Sequence, residues 1–282
     1  MKKVFKYAGL MFLSLFVFVL DIRAPKAIEH NFTNYYGVTM TQDQYLTLLN
    51  LGFNENEIYY MPETIFNENK DLEATLLAQN QKYYKTVYPT YGNSYTVEVT
   101  EDEFYNHPNN TLGQTVTSYE TVNSSISANG NYYRYKVTQS WTDIPSTKSY
   151  DVIGIGFNGN ISINGGTTFY NLYTNSSNNT TTSYTYYNKL NSSTGGTTTY
   201  KLASNFVGSS AIYYFNVAKD SGASTITSLY MCGDYAHALS SVTGNQAGSH
   251  SIDISGIHFS NSVVNYFDEI PCATTYLGGL NW

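Results

Sequence analysis

Charge is scarce in this sequence. Only 12% of its 282 residues are charged, about half the share of an average soluble domain, so the surface must be made mainly from Thr, Ser, Asn, Gly and Tyr. That profile fits an extracellular β protein better than a charged cytosolic enzyme. Arginine is nearly missing, with Arg23 and Arg134 the only two, and no Lys/Arg cluster stands against the formal net charge of -7. A surface of this sign repels phosphate backbones, which argues against nucleic-acid partners. Cysteine is limited to Cys232 and Cys272, so paired-Cys zinc motifs are excluded and one disulfide is allowed. There is no Gly-x-Ser-x-Gly elbow and no His-Glu-x-x-His pair, and Ile153-Gly-Ile-Gly156 lacks both the third glycine and the following helix of a dinucleotide loop. Beyond residue 20 no apolar run approaches the roughly 20 residues of a membrane helix.

What is abundant points to strands. The chain carries 29 Tyr and 14 Phe, and flat amphipathic rings fit a pleated, half-buried surface with one wet end. The opening segment differs from the rest. Lys2, Lys3 and Lys6 precede an apolar run from Tyr7 to Leu20, which reads as a signal peptide cleaved near Ala27. Pro25 departs from the small residue preferred before such a site, so an uncleaved anchor stays open. Without residues 1 to 27, five basic groups and one acidic group are gone, and the net charge of the rest becomes -11. The expected location is therefore extracellular, with no membrane contact after cleavage.

Three divisions are expected: the signal peptide (1–27), a short helical segment (28–80) and a β-sandwich domain (81–282). Thr41-Gln-Asp-Gln44 forms a capping box, with Met40 and Tyr45 at the hydrophobic-staple positions and Gly52 placed to end the helix. The same device recurs at Asn54-Glu-Asn-Glu57 between Phe53 and Ile58, which predicts a helical hairpin. Pro62 and Glu63 can start a third turn. Asn67 to Asp71 lacks the glycine and the distal Glu of a Ca²⁺ loop and reads as a solvated helix end. Residues 72–79 fit a strand or a helix, and 102–110 read as a polar loop.

From residue 115 the spacing is that of strands, at 115–122, 132–141, 150–157, 167–173, 183–189, 197–206, 211–217, 225–232, 251–258 and 263–269. Turn residues such as Asn129-Gly130, Asn158-Gly159 and Gly195-Gly196 separate most of them. So many strands without intervening helices predict a mainly β fold: an antiparallel two-sheet sandwich, jelly-roll-like, preceded by the helical hairpin.

The most distinctive run is Trp141-x-x-x-Pro145-x-x-x-Ser149-Tyr-Asp-Val-Ile-Gly-Ile-Gly-Phe157. Its alternation reads as strand, corner, strand, with Gly154 and Gly156 marking a bulge or a close backbone approach. Trp141 has two readings: a sugar-stacking platform, or a core residue at the sheet corner. Together with Leu48-Leu-Asn-Leu-Gly-Phe53, the box resembles uncharacterised secreted β-rich proteins of Gram-positive bacteria, with Lys148 as the basic residue before Ser-Tyr-Asp. The resemblance implies an address and a fold and carries no catalytic residue.

Candidate chemistry is sparse. Cys232 and Cys272 are expected to form the disulfide. Asp143 and Asp151, on either side of Pro145, could face each other as a carboxylate pair for glycoside cleavage. Asp234 with His237 and His250 with Asp253, joined by His258, could hold a metal, although their spacing is unspecific and loop residues are the simpler reading. No cofactor is expected. Three functions follow: a non-catalytic module binding carbohydrate or another cell-surface polymer, with Trp141, Asp143 and Asp151 as weak contact candidates; a secreted glycosidase-like hydrolase using loop carboxylates; or a structural surface protein that self-associates through strand edges. The oligomeric state is open.

Overall fold

The computed structural model describes residues 31–107, 116–268 and 270–282. The signal-peptide reading, the Pro108 to Asn110 part of the polar loop, Thr115 and Glu269 lie outside them. A small ribbon of β1 (Phe32–Thr33) and β2 (Thr39–Met40) leads into three short helices, α1 (Gln42–Asn50), α2 (Glu55–Tyr59) and α3 (Glu63–Asn69). Both capping boxes form: Gln44 and Thr41 satisfy each other's backbone N–H groups at 3.3 and 3.0 Å, and Glu57 and Asn54 do so at 2.8 and 2.9 Å. The solvated end expected at Asn67 to Asp71 is corrected at Asn69, which is buried and donates to the Ile65 carbonyl at 2.6 Å while accepting from Arg134.

Of residues 72–79, 74–79 are strand. β3 (Ala74–Tyr88) runs through residue 80, so the boundary between the helical segment and the sandwich falls inside it. The chain continues as β4 (Tyr95–Val99), α4 (Glu101–Tyr105), β5 (Val116–Asn129), β6 (Tyr132–Trp141), β7 (Tyr150–Phe157), β8 (Ile161–Thr174), β9 (Thr180–Ser183), β10 (Asn188–Ser192), β11 (Gly195–Lys201), β12 (Gly208–Lys219) and β13 (Ser228–Ala236). It ends with α5 (Gly244–Ala247), β14 (His250–Asp253), β15 (Gly256–Phe259), a 3-10 turn (Val264–Tyr266) and β16 (Ala273–Gly278).

The fold is an antiparallel two-sheet sandwich. One sheet has seven strands in the order β4-β3-β5-β6-β12-β8-β9, and the other has five, β10-β11-β7-β13-β16. Their inner faces share one apolar core through Tyr135, Val137, Ile155, Phe157, Phe215 and Met231. A second core packs Leu48, Phe53, Ile58 and Ile65 of the helical segment on Tyr170, Leu172, Ile212 and Tyr214 of the seven-stranded sheet. That contact is pinned by a buried ion pair between Lys136 and Glu57 at 2.9 Å.

Four local expectations change. Residues 183–189 split between the end of β9 and the start of β10, with Tyr184, Tyr186 and Tyr187 exposed between them. Residues 251–258 form a hairpin rather than one strand, because Gly256 takes a φ of +118° that few other residues tolerate. Residues 263–269 contain the 3-10 turn. Part of the polar loop is helical, as the Thr100 hydroxyl caps α4 by accepting from Glu103 N–H at 3.1 Å.

Candidate functional site

Along the strands that face the sandwich interior, apolar side chains give way to polar ones toward one end. On β7 the inward series is Phe157, Ile155, Ile153 and then Asp151; on β6 it is Tyr135, Val137, Gln139 and Trp141; on β5 it is Ile126, Ser124, Val122 and Glu120. Asp151 is fully buried and gathers the polar end. It accepts from the Tyr235 hydroxyl, from the Ala238 N–H at 3.0 Å, and pairs with Nδ1 of His237 at 3.2 Å. Nε2 of His237 meets the Tyr88 hydroxyl at 3.0 Å, and the His237 N–H donates to Asp268 at 2.6 Å. Trp141 closes the group by donating from Nε1 to the Tyr235 hydroxyl at 3.1 Å.

This network corrects two readings. Trp141 is only 3% exposed, so its ring is a core residue and no stacking platform. Among the described residues Asp143 and Asp151 share no partner: Asp143 pairs with His107 at 2.9 Å on the rim, while Asp151 serves the interior. The Asp151, His237, Tyr88 row has the order of an acid–imidazole–hydroxyl relay, and burial drives the Tyr88 phenol far above its ordinary range, which keeps it protonated at rest. The pKa of His237 is raised even though burial opposes its charge, because Asp151 beside it favours the imidazolium.

The metal candidates separate as well. Asp234 accepts the Tyr235 and Ile257 N–H groups at 2.8 and 2.7 Å, whereas His250 lies between the Thr197 hydroxyl and the Ala247 carbonyl, each at 2.7 Å. Asp253 pairs with His258 at 3.0 Å. Among the described residues no three His, Cys, Asp or Glu side chains are grouped to hold a metal ion. Asp253, Ser255 and His258 do form a Ser/His/Asp trio, but Ser255 and Asp253 both approach Nε2 of the ring, at 3.0 Å each. A relay needs the acid on Nδ1 and the hydroxyl on Nε2. The trio is a turn motif, and its hydrogen bonds from Ser255 and His258 hold the Asp253 carboxyl down at about 2.

The hairpin that carries this turn builds a cavity. Gly156 of β7 has no room for a Cβ, because the Asp253 carbonyl lies directly against it, so the glycine predicted as a close approach is what seats the hairpin on the sheet. Gly256 similarly lets the Asp234 carboxylate come close enough to accept from Ile257. Between β13, the hairpin and the residues Val264, Asp268 and Ile270 lies a cavity of about 400 Å³, in the lower part of the usual ligand-site range of about 300 to 1,000 Å³. Its floor holds Asp234 and Asp268, both buried, and its exposed rim holds Ser255 and His258. Burial raises Asp234 to about 7 and Asp268 to about 6, against the backbone N–H bonds that each accepts. The disulfide forms, with Cα atoms 5.6 Å apart, and ties β13 to the segment just after Ile270 in the cavity wall.

A second feature lies elsewhere, on the helical segment. Oδ1 of the Asn34 side chain accepts from the Tyr36 and Val38 N–H groups at 3.0 Å, while its Nδ2 donates to the Met61 backbone carbonyl at 2.7 Å. This fixes a loop on which Tyr35 packs against Tyr36, Tyr59 and Tyr60 at ring-centroid distances of 5.2, 6.2 and 5.1 Å. Tyr35, Tyr36 and Tyr59 remain 41%, 40% and 42% exposed. The Tyr36 and Tyr184 hydroxyls bond across the patch to Thr182 and Thr64 at 3.1 Å, which extends it to the edge strand β9.

Sequence reasoning missed Glu120, Asp268, Tyr88 and the tyrosine patch. Glu120 had a readable signal, since it alternates with Ser118 and Val122 on an inward face. Asp268 and Tyr88 had none, because what they bind lies far off in the chain. No protein-family model matches this sequence, and no curated protein matches it either.

Proposed function

We propose that the protein is a secreted, non-catalytic β-sandwich module that binds carbohydrate or another hydroxyl-rich extracellular polymer through the tyrosine patch. The observation that carries this reading is the cluster in which Tyr35 packs on Tyr36, Tyr59 and Tyr60, with Tyr35, Tyr36 and Tyr59 each about two-fifths exposed. Rigid amphipathic rings present apolar faces to sugar C–H groups while their hydroxyls bond to sugar oxygens. The edge strand β9 continues the surface with threonine hydroxyls, which suits an extended chain rather than a small solute.

Retention of the protein on a polysaccharide panel tests this. Tyr35→Ala with Tyr59→Ala is expected to weaken binding at least about tenfold, the equivalent of about 1.4 kcal/mol. Absence of retention on every polysaccharide overturns the reading, and unchanged retention in the variant moves the site away from the patch.

A second reading, a glycosidase-like hydrolase, is favoured by Asp234 and Asp268, two carboxyl groups near neutrality in one cavity. Released oligosaccharide that disappears in Asp234→Asn and Asp268→Asn would establish it.

A further inference from the structure

We propose that the cavity between β13 and the β14–β15 hairpin binds an organic ammonium group carried on a compact apolar frame. This site is separate from the tyrosine patch and does not rest on polymer binding.

The first argument is charge. Asp234 and Asp268 lie in the cavity wall, no Lys or Arg lines it, and among the described residues neither carboxylate pairs with a Lys or Arg side chain. Among the described residues the only cationic groups near them are the imidazoles of His237 and His258, which lose their charge as pH rises, so the ionised pair is costly and a cation entering the cavity offsets that cost. The second is orientation. Asp234 is held by the Tyr235 and Ile257 N–H groups, and Asp268 by the His237 N–H and the Thr96 hydroxyl. A carboxylate offers about four acceptor positions, so each group is fixed in direction while it still has capacity for an N–H donor.

The third argument concerns the rest of the wall. Ile257, Val264 and Ile270 are apolar, and Phe259 is braced by face-to-face stacking on Phe267 at 3.9 Å. These surfaces suit a hydrocarbon or aromatic frame, with Phe259 also placed for a cation–π contact. A metal ion is a poorer fit, since it needs three or four converging ligands and no such group stands among the described residues. Glu120 lies deeper, inside the sandwich and outside the cavity lining: it is fully buried, its Oε1 has no partner among the described residues, and it is electrostatically linked to Asp268.

The titratable groups around the site are Asp234 and Tyr235 on β13, His237 just after it, His258 on β15, Asp268, Asp151 on β7, Glu120 on β5 and Tyr84 on β3. Between pH 5 and pH 8 the two cavity carboxyl groups ionise while an alkylammonium stays charged, so affinity rises with pH.

The test compares benzylamine with benzyl alcohol on the unmodified protein, by chemical-shift titration or calorimetry at pH 5 and pH 8. Expected are saturable binding of the amine alone and an affinity on the order of tenfold higher at pH 8. Asp234→Asn and Asp268→Asn should each abolish that preference while retaining the parent's near-UV circular dichroism. Equal binding of the alcohol, no saturable binding of the amine, or an affinity that does not rise with pH overturns the proposal. Amine binding that survives both substitutions places the ligand elsewhere and overturns it as well. If either variant loses its fold, the wild-type comparison still decides.

Discussion

The two ends of the inter-sheet layer are filled in opposite ways. At one end Tyr135, Phe157 and Phe215 meet edge to face or tilted, with centroids 6.0 to 6.3 Å apart, beside Val217 and Met231. At the other, Glu120, Asp151, His237 and Asp268 are also buried, yet they are held by directional hydrogen bonds. Burial alone therefore says little about what a position contributes. In the apolar end energy scales with area and shape, whereas in the polar end it depends on each donor having its acceptor.

That contrast can be broken most sharply at Asp151. Asp151→Ala removes the acceptor for the Tyr235 hydroxyl, the Ala238 N–H and the His237 ring together, and is expected to cost about 4 kcal/mol in denaturant unfolding. A loss under about 1 kcal/mol would mean that the network rearranges or fills with water.

Next in size is a pH effect confined to the polar end. Burial raises Glu120 well above its ordinary value, and Asp268 and Asp234 also titrate high, at about 6 and about 7. Each folded-state pKa exceeds the unfolded one, so the native state keeps protons that the unfolded chain releases. The stability these groups give is complete below the unfolded carboxyl range near pH 4 and is lost as pH rises through 6 to 7 and beyond. The raised His237 contributes with the same sign. Glu120→Gln should match the parent near pH 4 and exceed it by about 1 to 3 kcal/mol at pH 8, as read from paired unfolding curves. Identical curves at both pH values would contradict a buried acidic proton at Glu120.

The smallest expected effect is in the apolar end. Ile155→Val removes one methylene from a filled core and should cost about 1 kcal/mol, with no dependence on pH between 4 and 8. A pH-dependent loss there would show that the two ends are coupled.

How much of this was legible beforehand follows from the range of the interactions. The capping boxes at Thr41 and Asn54 span three residues, and both formed. The strands at 132–141 and 150–157 carry their inward alternation in consecutive residues, and both were placed to the residue. The stretch 183–189 looked like a strand because tyrosine favours strands, but Tyr184, Tyr186 and Tyr187 sit between two strand ends with exposed rings. The hairpin at 250–259 turns through Ile254-Ser255, which has none of the Asn-Gly or Asp-Gly chemistry that marks such turns. β16 is a six-residue strand that pairs, among the described residues, with β13 about 45 residues earlier, and nothing in its own residues signals that partner.

What the sequence by itself determined is the β class, the two capped helices, the strand and corner from Trp141 to Phe157, and a pair of cysteines able to bridge. These rest on local backbone preference and on a residue's own chemistry. Only the tertiary structure decided that Trp141 is buried, that Asp143 and Asp151 part company, that Asp151 meets His237 across 86 positions, and that Asp234 and Asp268 share a cavity. The reason is physical: a hydrogen bond or a raised pKa depends on which groups the fold brings within about 3 Å and on the water it excludes, and neither is written in neighbouring residues.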